Sequence, residues 1–216
     1  KTDTIEGYQS GSRARVWEIA AAIYAAIANT GIAYAVPPAS FERDGQKIRL
    51  PGTIRDGLVG TCLDTTMLFA AAFEQAGLNP VVVMPEGHAL VGVWLQPEEL
   101  SSIVSDDPET LRKRVQLEEL LLIETTLVTS RPAPSFSRAT AAGERQLDHT
   151  HDPQVRAAVD IRQARAHRIS PLALTAAEPA RAPSAQAAEA APATLDLEEA
   201  PDLPAFDEPS EDTTPR

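Results

Sequence analysis

Apolar residues recur at helical spacing between residues 14 and 29, where Val16, Ile19, Ala20, Ile23 and Ile27 form one stripe. Gly11-Ser12 precedes the run and Asn29-Thr30-Gly31 follows it, so the pattern predicts an amphipathic helix with both ends marked. Trp17 and Tyr24 are expected to flank its buried stripe. Residues 32–36 make a short apolar segment stopped by Pro37-Pro38, and residues 38–59, rich in charge, Gly and Pro, are expected to be loop. A second helix is predicted over residues 62–76. Met67, Leu68, Ala71, Ala72 and Phe73 make it apolar around much of its circumference, which marks a central, buried helix with Gly77 as its C′ residue. Residues 81–84 and 89–95 read as strands joined by the turn Pro85-Glu86-Gly87. After a polar excursion over 96–119, residues 120–128 predict a third strand, 155–161 a last strand and 162–167 a helical turn.

The candidate chemistry lies at the start of the buried helix. Cys62, the one cysteine of the chain, stands in Gly60-Thr61-Cys62-Leu63-Asp64, where a loop becomes helix. The helix dipole and the unpaired N–H groups of the first turn favour a thiolate there. A lone cysteine is also commonly a small buried hydrophobe, so placement alone does not make it a nucleophile. A histidine on a following strand would complete a nucleophile–base pair, and Gly87-His88-Ala89 supplies one.

Strand parity adds a third group. His88, Leu90, Gly92 and Trp94 should share one face of their strand, and Leu120, Leu122, Glu124 and Thr126 one face of theirs. A carboxylate flanked by apolar residues needs a partner unless it reaches water at a strand end. With His88 as that partner, Glu124 is expected to accept Nδ1–H and leave Nε2 facing Cys62. Asp64, in the first helical turn, is expected to complement the dipole and accept from backbone N–H groups rather than take part in chemistry. Trp94 is expected in the core.

These residues resemble the transglutaminase-like superfamily of papain-type Cys-His-Asp folds. The matching positions are Gly60, Cys62, Asp64 and Leu68, then Gly77, Pro80-Val81-Val82-Val83, Gly87-His88-Ala89 and Val93-Trp94-Leu95. Leu122-Ile123-Glu124-Thr125-Thr126 is similar to the strand carrying the third member, with Glu124 where the family has aspartate and Thr125 where it has proline. Gly7-Tyr8-Gln9-Ser10-Gly11, residues 37–42 and 45–51, Asp106-Asp107-Pro108, residues 111–114 and Ile169-Ser170-Pro171-Leu172 resemble a bacterial subgroup. In that subgroup the module sits within very large proteins of conflict or DNA metabolism, ahead of a superfamily-one helicase. The resemblance implies an α+β fold, a buried Cys-bearing helix packed on an antiparallel sheet, with Cys62, His88 and Glu124 as catalytic triad. It also implies other domains of a larger polypeptide as partners. The chain contains no Gly-x-x-x-x-Gly-Lys-Ser/Thr loop, so helicase activity would lie outside it.

Composition narrows the rest. At 216 residues and 43% hydrophobic content the chain can bury one substantial core. A formal charge of −12 disfavours direct nucleic-acid contact, and Arg112-Lys113-Arg114 is too short a run to change that. One cysteine fits a reducing compartment, and no apolar run or leader pattern suggests a membrane or export, so a cytoplasmic location is expected. No cofactor or metal is expected: His149 and His151 lie in a polar segment without zinc-type spacing, and His167 sits among arginines as a solvated face. Residues 173–216 are dominated by Ala, Pro and acids, a composition too poor in apolar residues to offset chain entropy. This stretch is expected to be a disordered linker, with an acidic binding motif around Leu195, Leu197, Leu203 and Phe206 as the other reading. The expected organisation is a domain over 1–172 (core 14–129, extension 131–172) followed by that linker. The expected function is a thiol hydrolase, a peptidase or amidase acting on a peptide or protein; the alternative is a catalytically silent peptide-binding or scaffold module of the same fold.

Overall fold

The structure, a computed structural model, describes residues 6–37, 45, 47–148, 155–171 and 197–206. Helix α1 (Arg13–Ala28) starts where the Ser12 side chain accepts from the Arg15 N–H, and it buries Val16, Trp17, Ile19, Ala20, Tyr24 and Ile27. Next come β1 (Ala33–Tyr34), α2 (Pro51–Gly57), β2 (Val59–Gly60) and α3 (Cys62–Gln75). The strands β3 (Pro80–Pro85) and β4 (Leu90–Trp94) form the hairpin predicted by their apolar runs. They are followed by β5 (Val104–Ser105), α4 (Pro108–Gln116) and β6 (Leu120–Ile123), then by a 3-10 turn, Thr125–Thr129. Helix α5 (Phe136–Arg145), β7 (Val155–Asp160) and α6 (Ile161–Ala166) complete the described elements.

The fold is α+β. One antiparallel sheet has the order β5-β7-β3-β4-β6, and β1 and β2 form a separate parallel pair. Both faces of the large sheet are covered. Val82, Val91, Val93, Leu121 and Ile123 face α1 and α3, packing with Trp17, Tyr24, Phe69 and Phe73. Val81, Val83, Leu90, Trp94, Leu120 and Leu122 face the other way, against Leu100, Leu111 and Leu147. Trp94 is fully buried as expected, its indole N–H donating to Asp160. Helix α5 rests on β6 at Gly143, where a Cβ would stand 2.7 Å from the Leu122 carbonyl.

Four expectations are corrected. The stretch read as loop contains α2, which Pro51 opens from the first helical position, where its missing N–H costs nothing. The polar excursion contains β5 and α4; α4 is capped by Asp107 and carries Pro108 at its start, a local signal that hydrophobic periodicity does not report. The third strand stops at Ile123, because Glu124 turns to cap the 3-10 turn with its own side chain. The segment after Thr129 is no mere extension: β7 lies between β5 and β3, so the sheet is incomplete without it.

Part of the predicted linker is also docked. The Glu198 carboxylate accepts from the N–H groups of Phe136 and Ser137 and from the Ser137 hydroxyl, at the start of α5. Ala200 and Leu203 pack on the main core. Composition averages over this stretch and does not register one acid capping a distant helix. The rest of 172–216, like His149 and His151, lies outside the described residues. No helix among the described residues is long and apolar enough to cross a membrane.

Candidate active site

Cys62 is the first residue of α3. Thr61 caps the helix, its hydroxyl accepting from Asp64 N–H at 3.2 Å while the Asp64 carboxylate accepts from Thr61 N–H at 2.9 Å. This reciprocal pair holds the first turn, leaving the Leu63 N–H for the Cys62 sulfur and the Cys62 N–H for the Tyr34 hydroxyl oxygen. Asp64 is structural, as its position suggested. It is fully buried and also takes the Arg49 N–H at 2.7 Å and the Arg49 guanidinium at 2.6 Å. Burial pushes its carboxyl up, but the hydrogen bonds from Arg49 and Thr61 outweigh that and hold it below the usual range.

The structure brings Cys62, His88 and Glu124 together. His88 hydrogen-bonds the Cys62 sulfur, and its Nε2 stands 2.7 Å from Glu124 Oε2. The ring is therefore turned opposite to the expected way: Nε2–H donates to the carboxylate and Nδ1 is left for the thiol. Strand parity also gives the wrong face. Leu90, Trp94, Leu120 and Leu122, the even positions, face away from α3. His88 and Glu124 still reach Cys62 because both stand outside the strands, His88 in the β3–β4 turn and Glu124 past the end of β6. Leaving the pleat frees both side chains from strand alternation.

Glu124 is held from three sides. Its N–H donates to the Ala139 carbonyl of α5 at 3.0 Å. Oε1 accepts from the Thr126 N–H at 3.0 Å and the Thr126 hydroxyl at 2.6 Å, leaving Oε2 for His88. The next residue, Thr125, is fully buried, and its hydroxyl is 2.9 Å from that of Thr65 and 3.3 Å from that of Thr66, both on α3. The turn carrying the acid is thus pinned to the helix carrying the thiol.

Electrostatics follow from this geometry. Burial pushes the Cys62 thiol up, but the His88 hydrogen bond and charge, the Tyr34 hydroxyl and the Leu63 N–H together bring it below its ordinary value. The hydrogen bonds to Cys62 and then to Glu124 push His88 up to about 10. Burial raises the Glu124 carboxyl, and the hydrogen bonds from His88 and Thr126 more than reverse it. All three shifts favour one state: thiolate, imidazolium, carboxylate.

Tyr34, Thr125 and Thr126 carry roles that the sequence reading does not assign. Strand β1 runs parallel to β2 with Tyr34 opposite Gly60, two residues before the thiol, and the Tyr34 hydroxyl donates to the Cys62 sulfur. Nothing in the local apolar pattern marks Tyr34; only the pairing of β1 with β2 brings it there. Thr125 and Thr126 follow directly on Glu124, so hydroxyl-rich sequence beside a buried acid was the available signal.

Cys62, with 6% of its surface exposed, opens onto a cavity of about 160 Å³. Leu63, Met84, Pro85 and Ala89 give it an apolar lining, and Arg156, paired with Glu86 at 3.0 Å, also borders it. On the β1 side a larger cavity, about 730 Å³, is lined by Val36, Pro37, Ile48, Leu50 and Thr61 among others. Among the described residues no group of three or more His, Cys, Asp or Glu is arranged to hold a metal. His167 is exposed, its ring against the Gln163 carbonyl, far along the chain from the triad. No known family, curated protein or solved structure matches the chain.

Proposed function

We propose that the protein is a thiol hydrolase of papain-like, transglutaminase-like type, acting on an amide or thioester carbonyl of a peptide or protein. One observation carries the reading: His88 is bound between Cys62 and Glu124, with the thiol pulled down and the imidazole pushed up. A resting thiolate–imidazolium pair attacks a carbonyl without first losing a proton. Cys62 is the nucleophile. The imidazolium then protonates the leaving group, and afterwards takes a proton from the water that cleaves the acyl-enzyme. Glu124 orients His88 and keeps it charged. The Cys62 N–H, a first-turn donor that reaches the Tyr34 hydroxyl oxygen at rest, turns to the developing oxyanion. By its sequence resemblance the chain is a module of a larger helicase-type polypeptide, the substrate being reached through the cavities beside Cys62.

A second reading, a silent peptide-binding module, draws on one observation, the 6% exposure of the sulfur. Iodoacetamide alkylation followed against pH separates the two. The hydrolase reading expects a rate plateau beginning well below about pH 8.5, the free-thiol value, and its loss in H88A. A profile centred on the free-thiol value, indifferent to H88A, leaves the binding module.

A further inference from the structure

We propose that Tyr34 is a catalytic residue, its hydroxyl donating a hydrogen bond to the oxyanion that forms when Cys62 attacks a carbonyl. The inference rests on the thiol-enzyme reading above and adds a group to it. Strand pairing places the residue: Ala33 N–H donates to the Leu58 carbonyl at 2.8 Å and Ala35 N–H to the Gly60 carbonyl at 2.9 Å. Tyr34, between them, stands level with Gly60 beside the first turn of α3. Its hydroxyl donates to the Cys62 sulfur and accepts from the Cys62 N–H, with His88 approaching the same sulfur from the β3–β4 turn.

The other tyrosines make the contrast. The chain has three. Tyr8 donates to the Trp94 carbonyl at 2.8 Å and Tyr24 to the Pro134 carbonyl at 3.1 Å; both give the hydroxyl proton to a distant backbone carbonyl. Tyr34 is 43% exposed, needs no such acceptor, and spends its donor on the nucleophile instead. Burial, followed by the neighbouring thiolate and the hydrogen bond to it, raises its own ionisation, so it stays a protonated donor while the thiol is ionised.

The step balances without moving a proton from tyrosine. A sulfur lone pair forms the S–C bond while the C=O π pair moves onto oxygen. That oxygen is two bonds from sulfur, so a donor already resting on the sulfur reaches it by a small rotation of the side chain. As charge leaves sulfur for oxygen, the hydrogen bond follows it. The Cys62 N–H, released from the Tyr34 oxygen by the same rotation, supplies the second donor. When the adduct collapses, the oxygen pair re-forms C=O, the leaving group departs with its electrons, and Tyr34 returns to its starting state.

The test sets two reactions of the same thiol against each other in Y34F. Acylation by p-nitrophenyl acetate develops an oxyanion, and its leaving group needs no proton; alkylation by iodoacetamide displaces iodide from a saturated carbon and develops none. With the thiol fully ionised, Y34F is expected to acylate about 100-fold more slowly, the usual effect of losing one oxyanion donor, with its alkylation plateau unchanged. The unchanged plateau also reports an intact site. Acylation and alkylation falling in parallel, or neither falling, overturns the role of Tyr34 alone. Wild-type protein that alkylates but gives no acylation burst overturns the hydrolase reading as well.

Discussion

Replacing Glu124 by glutamine probes the whole site, because the change is one oxygen for one NH₂. In the native site Oε1 takes both the N–H and the hydroxyl of Thr126, and Oε2 takes His88 Nε2–H. Glutamine has one acceptor oxygen, and the two Thr126 donors claim it. Its NH₂ then faces Nε2–H, donor against donor. The imidazole resolves the conflict by becoming neutral with its hydrogen on Nδ1, the nitrogen that must serve Cys62. The thiol then has neither a base nor an imidazolium. Loss of an adjacent opposite charge is worth about 1–3 pKa units, so His88 should titrate far below its native value near 10. The thiol should move up toward its ordinary value, since the His88 hydrogen bond and charge lead the effects that lower it. Alkylation near pH 6 is expected to drop at least about tenfold, and turnover by about 10³–10⁴, the cost of a wrong tautomer in a triad. A lost charge-assisted hydrogen bond costs roughly 2 kcal/mol of stability. The assay is alkylation rate against pH for wild type and E124Q, with His88 titrated by NMR in both. The apparent values belong to the coupled pair. An E124Q profile superimposable on wild type would refute the reasoning, since Glu124 would then not be coupled to the thiol.

Two further outcomes follow from groups outside the triad. The Asp64 carboxyl is depressed in the folded state, so its stabilisation is present above the unfolded value, about 3.9, and is lost as pH falls through the folded value. D64N should cost about 3 kcal/mol near pH 7, and urea denaturation should show the gap to wild type narrowing as pH falls below the unfolded value, about 3.9; a gap that stays constant contradicts the assignment. Deleting everything after Pro171 removes the Glu198 cap from α5 and the contacts of Ala200 and Leu203. The expected loss is about 2 kcal/mol, or roughly 4–8 °C in Tm for a domain of this size, and E198A alone should give about half; an unchanged melting curve would mean that the segment does not dock in solution.

Several features were legible in the residues themselves because the interactions behind them are short-range. Ser12 and the apolar stripe after it mark α1, and Gly60-Thr61-Cys62-Leu63-Asp64 marks a helix start whose capping bonds span three residues. The apolar runs on either side of Pro85-Glu86-Gly87 mark β3 and β4 for the same reason. Cys62, His88 and Glu124 could be named together because a thiol at a helix start, a histidine after a tight turn and an acid among apolar residues each make a local demand for a partner. What those partners do to one another was not local. The ring orientation of His88 depends on which oxygen of Glu124 the two Thr126 donors leave free. Parity misplaced both residues because alternation holds only while the strand lasts, and where a strand ends is decided by caps and neighbours. Tyr34 reaches the sulfur through the β1–β2 pairing, and Glu198 reaches the start of α5 from 62 residues further along the chain. Hydrophobic period and composition are averages over neighbours in the chain; a single hydrogen bond between distant residues leaves no trace in either, and only the closed tertiary structure supplies its partner.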